Sequence, residues 1–252
     1  MKTKNAISLS LVLGTTVCWL NCPASLNAQT VRLHGAVTLS KLISDQKAAL
    51  ETQTGLKLEI VGNGSGRGLA ALAGGEAEIA MLAGSVKGVA AAMNKEKPGS
   101  VDIAGLKDTP LPGVKLAFVI HPSAGVKSLT EAQVRDLLSG KAARWKDAGG
   151  ADVPVKVVLP FAGDGARVTV QEVVLNGADF AKDAILRNSS KDIPAVIKQL
   201  PGSISFLSER NAEGLTTVGY EKDLQMPLLL VTKGDPAGDV KKVVDSVKGA
   251  LK

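Results

Sequence analysis

The chain has 252 residues, of which 45% are hydrophobic, 21% charged and 3% aromatic, with 30 Lys plus Arg against 24 Asp plus Glu. This balance excludes collagen-like, coiled-coil and disordered chains, because apolar content is ordinary, charge is moderate and glycine is dispersed rather than periodic. At roughly 100–200 residues per domain there is room for one large domain or two small ones, while the scarce aromatics and scattered lysines argue against sugar-stacking platforms and nucleic-acid grooves.

Residues 1–28 divide into a short basic start with Lys2 and Lys4, a mostly apolar run from Ala6 to Leu20, and Asn21 to Ala28. These are the three regions of a signal peptide, with cleavage expected near Ala28. The apolar run falls short of the roughly 20 residues that span a bilayer. Cys18 and Cys22 both lie in this leader, so the mature chain is expected to hold no disulfide, thiol nucleophile or cysteine metal site. Its removal takes away two Lys and no acid, lowering the formal charge from +6 to +4. No later segment reads as a membrane helix, and an exported, periplasmic product is expected.

Val31 and Leu33 begin a short strand, and Leu39, Leu42, Ile43 and Leu50 share one helix face that Gly55 terminates. Leu56, Leu58 and Ile60 alternate with polar residues as a half-buried strand, and Ile79 to Ala83 is a compact apolar strand after the next helix. Strand and helix thus alternate, which implies βαβ units on a parallel sheet with ligands at the carboxyl ends of its strands. An apolar strand, Val114 to Ile120, leads to a second α/β pattern. It comprises a helix opened by the capping box Thr130 to Gln133, a strand over Val155 to Leu159, and a helix over Ala166 to Leu175 stopped by Asn176-Gly177. Strands over Ser203 to Leu207 and Leu228 to Thr232 follow, and Val240, Val243, Val244 and Val247 mark a last helix.

Three strand-to-helix turns are rich in glycine: His34 to Thr38, Gly62 to Gly68 and Ala162 to Arg167. Each precedes a helix whose first N–H groups lie unpaired at the positive end of the dipole, a ready anion site. Neither the dinucleotide glycine spacing nor a P-loop is present. No Ser-His-Asp order or paired-carboxylate spacing supports catalysis, and His34 and His121 without cysteines make a poor metal set. No enzyme, cofactor or metal is expected.

The order of motifs resembles the phosphate-binding branch of periplasmic solute-binding proteins, which deliver ligand to ABC transporters. The resemblance spans nearly the whole mature chain. It runs through Gly35 to Leu39, Gly64-Ser65-Gly66, Gly75 to Met81, Ser128 to Gly140, Trp145, Gly149-Gly150, Gly163 to Arg167, Pro201 to Phe206 and Leu230 to Gly234. It implies a two-lobe type II periplasmic-binding-protein fold of the α/β class, with the ligand cleft between lobes. Lobe 1 is expected over 29–118 and 224–252, and lobe 2 over 119–223. The implied ligand is a small, phosphate-like oxyanion, the implied partner an ABC permease in the inner membrane, and the implied state a monomer. The alternative is a non-transport binding or signalling module that keeps the fold and has lost phosphate binding.

The resemblance assigns ligand contacts to Thr38, the Leu39 N–H, Ser65, Gly66, Asp164 and Gly165, with Arg167 as a further candidate. Three positions depart from the family pattern. Leu82 to Ser85 has no acid where the family carries Asp, the family Arg is Pro160, and its Ser-Gly-Thr is Asp164-Gly165-Ala166. Two readings of Asp164 stand at this point: a proton acceptor for a protonated oxyanion, or an ordinary helix cap. A fully ionised oxyanion beside it would be repelled, since unit charges ~4 Å apart interact by ~4 kcal/mol at an effective dielectric near 20.

Overall fold

The computed structural model describes residues 29–251; the expected leader lies outside them. Strand β1 (Thr30–Gly35) leads into helices α1 (Val37–Asp45) and α2 (Lys47–Thr54), followed by β2 (Lys57–Gly62), α3 (Ser65–Gly74), β3 (Ile79–Ala83) and α4 (Val86–Glu96). The long β4 (Leu106–Ile120) precedes β5 (Ser128–Leu129), α5 (Glu131–Ser139), β6 (Lys156–Pro160) and α6 (Gly165–Val173). Then come β7 (Ile185–Arg187), α7 (Ile193–Gln199), β8 (Ser203–Ser208), β9 (Thr216–Tyr220), β10 (Gln225–Lys233) and α8 (Gly238–Ala250). None of the helices described is long and apolar enough to cross a membrane.

The strands follow the order β2-β1-β3-β10-β4-β8-β6-β7, with β9 pairing β4 and β5 to one side. β1 is parallel to β2 and β3, as the βαβ pattern requires. β10 is antiparallel to both β3 and β4, so the sheet is mixed rather than wholly parallel. β4 joins two halves: Leu106 to Lys115 pair with β10, and Leu116 to Ile120 pair with β8. The strands therefore lie on one hydrogen-bonded path, because a single 15-residue strand serves both halves. The C-terminal helix α8 packs on α2 and β1, returning the end of the chain to the first half.

Local chemistry accounts for most boundaries. Thr130 accepts the Gln133 N–H while the Gln133 side chain accepts the Thr130 N–H, the capping box expected for α5. The single helix expected over 39–50 is instead two, α1 and α2. The break falls at Gln46, whose N–H bonds three residues back to Ile43, tightening the last turn of α1. β4 begins eight residues before the expected Val114 and contains Pro110 and Pro112. Proline is tolerated there because that part of β4 has a ladder partner on one side only, so a missing N–H costs nothing.

The main core lies along the sheet. Trp145, Phe118 and Phe206 are fully buried, with Phe118 edge-on to Phe206 at 6.4 Å and Phe180 stacked on Phe206 at 5.9 Å. The Trp145 indole N–H donates to the Gly202 carbonyl at 2.8 Å, satisfying the one polar atom that its burial would otherwise orphan.

Candidate functional site

The carboxyl ends of β1, β2 and β3 in one half face those of β6 and β8 in the other, and helices α1, α3 and α6 start at this junction. A small buried cavity of about 20 Å³ lies between them, lined by Thr38, Ser65, Asp164, Gly165, Ser190, Ser208 and Asn211 with apolar neighbours. No Lys or Arg among the described residues lines it.

The three helix starts differ in a way that sets the field. Neither Ala36 ahead of α1 nor Gly64 ahead of α3 supplies a side-chain cap. The first-turn N–H groups of α1 therefore keep the partial positive charge of an open helix end, and α3 keeps part of it, since its Gly66 N–H is taken by the Gly163 carbonyl. α6 is capped by Asp164, whose Oδ1 accepts from the Ala166 N–H at 3.0 Å and the Arg167 N–H at 3.4 Å. Asp164 is 6% exposed and shares the cavity with Thr38 and Ser65. Burial pushes its pKa above the usual carboxylate range, against the opposing pull of the Arg167 and Ala166 amides, the Ser190 hydroxyl and the Arg167 charge. Burial thus makes the ionised carboxylate the costlier form in the cleft, a cost that a proton shared with a ligand would relieve.

Thr38 stands in the first turn of α1, with its hydroxyl 3.3 Å from the Ser208 hydroxyl and accepting from the Asn211 amide at 3.2 Å. The Leu39 side chain belongs to the core, and Leu39 contributes to this helix start only through its backbone. Ser65 is buried at the cavity, but its hydroxyl donates to the Ala83 carbonyl and accepts from the Ala83 N–H. That proton ties α3 to the end of β3, so a ligand would receive it only by breaking this bond. The Gly66 N–H donates 2.8 Å across the junction to the Gly163 carbonyl.

Gly165 abuts the end of β3 so closely that a Cβ on it would lie 1.7 Å from the Ala83 carbonyl oxygen. Arg167 reaches the site only with its backbone. Its guanidinium bonds the Pro160 carbonyl at 2.9 Å, lies 5.6 Å over the Phe180 ring, and lines a different surface pocket. The helix direction explains this: Arg167 sits on the α6 face turned away from the cavity, while Gly165 and Ala166 face it. Arg67 likewise stays outside, stacked 4.4 Å over Phe161 and bonded to the Asn188 carbonyl.

Ser190, Ser208 and Asn211 were not among the expected contacts. Ser208 ends β8, and Asn211 lies in the short 3₁₀ turn after it, so the strand-end rule was the one signal available for them. Ser190 opens a 3₁₀ turn before α7 and carries no motif of its own.

The family model for the PBP superfamily domain matches residues 23–248. Phosphate-binding protein PstS of Bacillus subtilis is 26% identical over 214 residues, covering 79% of this chain and 68% of that protein. Phosphate-binding protein PstS of Borreliella burgdorferi is 21% identical over 257 residues, covering 99% of this chain and 85% of that protein. Among solved structures, a phosphate ABC transporter substrate-binding protein from Clostridium perfringens, described as putative and with bound phosphate, superposes with a TM-score of 0.73. It is 23% identical and the match covers 87% of this chain and 93% of that one. The strand order, the paired βα turns around a central cavity and these likenesses agree on the type II periplasmic-binding fold, and the chain belongs to the PBP superfamily.

Proposed function

We propose that this chain is an exported solute-binding protein that captures a small phosphate-like oxyanion in the cavity and hands it to an ABC permease in the inner membrane. The observation that carries the reading is the pair of uncapped helix starts, α1 and α3, turned onto a buried polar cavity at the strand ends. The phosphate-binding names of the relatives support the same reading over a module that has lost its anion site. Residues 1–28 act as the leader, 29–118 with 224–252 form lobe 1, and 119–223 form lobe 2, working as a monomer without catalysis.

Binding relies on fixed dipoles and lobe closure. The cavity lies between the two halves, and parting them around β4 and the β9–β10 connection would give an anion its way in. Asp164 then faces the anion, and one proton shared between carboxyl and oxyanion removes the repulsion of two full charges. Monohydrogen or dihydrogen phosphate brings that proton; sulfate near neutrality does not.

Titration calorimetry with phosphate, arsenate, sulfate, molybdate and tungstate tests the reading. Heat with phosphate and arsenate, and weaker or no heat with sulfate, is expected. Silence with all five anions would overturn it.

A further inference from the structure

A second pocket of about 370 Å³ opens beside the buried cavity and shares Val37, Ser190 and Asn211 with it as common wall. Its character is opposite to that of the inner cavity. The inner cavity holds a carboxyl group and no basic side chain, whereas the outer pocket is lined by Lys41, Lys191 and Arg210, with Glu213 as its one acid. The three cations come from separate elements: Lys41 from α1, Lys191 from the 3₁₀ turn before α7, and Arg210 from the turn after β8.

The cations are not equally committed. Arg210 pairs with Asp45, and Lys191 donates to the Gly62 carbonyl at 3.1 Å. Lys41 has no hydrogen-bond or ion-pair partner among the described residues. Even with Glu213 and the Asp45 pair counted, the pocket keeps a positive excess. It also draws on both halves of the molecule, so an anion seated in it would bridge the closure as well as neutralise the cations.

We propose that the outer pocket is a second anion subsite, and that the preferred ligand is a small phosphate ester or anhydride bearing a second anionic group. This rests on the oxyanion reading given above. The phosphoryl end faces the helix starts of α1 and α3 and shares its proton with Asp164. The second anionic group passes the common wall of Val37, Ser190 and Asn211 to meet Lys41 and Lys191. The adjoining pocket supplies the further volume and the charge of the required sign for the second anionic group. Exposed cations make this subsite sensitive to salt, unlike the buried helix starts.

Calorimetry with orthophosphate, pyrophosphate and methyl phosphate, on the full mature chain and its K41A and K191A variants, tests the proposal. Methyl phosphate controls for bulk without a second charge. Pyrophosphate is expected to bind at least tenfold tighter than methyl phosphate. K41A should cut that preference at least fivefold, and K191A should also reduce it. Orthophosphate affinity should change less than twofold in K41A, which leaves every bond in the described residues intact.

If orthophosphate binds and pyrophosphate shows no advantage, or if the advantage survives K41A unchanged, the subsite is overturned and the oxyanion reading stands. If pyrophosphate binds with the expected Lys41 dependence while orthophosphate is silent, the subsite stands and simple oxyanion capture falls. Silence with all three ligands overturns both.

Discussion

The Gly66 amide donates to the Gly163 carbonyl at 2.8 Å, joining the start of α3 to the turn before α6 across the cleft. With no side chain on either residue, the two halves meet backbone to backbone. Gly165 extends this contact against Ala83, where a Cβ would lie 1.7 Å from a carbonyl oxygen.

G165A is therefore expected to fold but to resist closure. Gly165 has an ordinary helical conformation, so alanine is compatible with α6 itself, and the clash falls wholly on the partner half. Overpacking of this kind costs about 1–3 kcal/mol, which predicts a loss of ligand affinity of roughly 5- to 150-fold with little change in the circular dichroism spectrum. Small-angle scattering should show a larger radius of gyration than wild type under saturating ligand. An unchanged affinity and radius would mean that closure does not bring Gly165 onto Ala83.

Ion pairs across the junction should matter much less. Lys95 and Asp179 meet at 2.8 Å, yet their side chains are 72% and 73% exposed, so solvent and salt screen them. K95A should shift ligand affinity less than twofold in 0.15 M salt. A tenfold loss would make this pair, rather than the glycine contacts, the main closing device.

Asp164 gives a pH dependence of definite sign. Its pKa is raised in the folded chain by burial, so the native state holds the proton where the unfolded state has released it. Stability therefore falls as pH rises from the unfolded carboxylate pKa to the folded one, and the penalty is complete above the latter. D164N keeps a capping oxygen and removes this titration. In urea denaturation it should gain on wild type through that window and hold the gain above it. D164A removes the cap and should cost about 1 kcal/mol below the window. Parallel pH profiles for wild type and D164N would show that folding leaves the Asp164 pKa unshifted.

Trp145 separates stability from binding. W145F keeps a ring in the core and removes the indole donor, while the Gly202 carbonyl keeps the Lys156 N–H, for a hydrogen-bond loss of about 0.5–1.5 kcal/mol. Thermal unfolding should shift downward while ligand affinity at a temperature where both proteins are folded stays within twofold. A coupled loss of affinity would tie the Trp145 region to the cleft.

What the amino-acid sequence revealed follows from how local each signal is. Ile79 to Ala83 as a strand, the α5 capping box and the i, i+3, i+4, i+7 stripe of α8 depend on neighbours in the chain and read directly. The start of β4 was hidden by Pro110 and Pro112, which look like breakers until one side of that strand proves to carry no ladder. β7 has three residues and takes its partner from β6, so no periodicity could announce it. At the site, Thr38, Ser65, Asp164 and Gly165 were legible as residues of glycine-rich βα turns, and all four line the cavity. Ser190 arrives by tertiary packing alone, and Asn211 had only its place just past a strand end to mark it. The Arg167 guanidinium could not be placed from its position in the turn, because its direction depends on Phe180 and Pro160.

The most direct measurement is calorimetric titration of orthophosphate and sulfate into wild type and D164S at pH 6 and pH 8. Oxyanion capture with a proton shared at Asp164 predicts that wild type binds phosphate and prefers it to sulfate at both pH values, because monohydrogen phosphate still carries a proton at pH 8. In D164S, where the hydroxyl replaces the carboxyl group, the phosphate-to-sulfate preference should fall at least tenfold. Equal preferences in the two proteins, or no phosphate binding by wild type at either pH, would contradict the account.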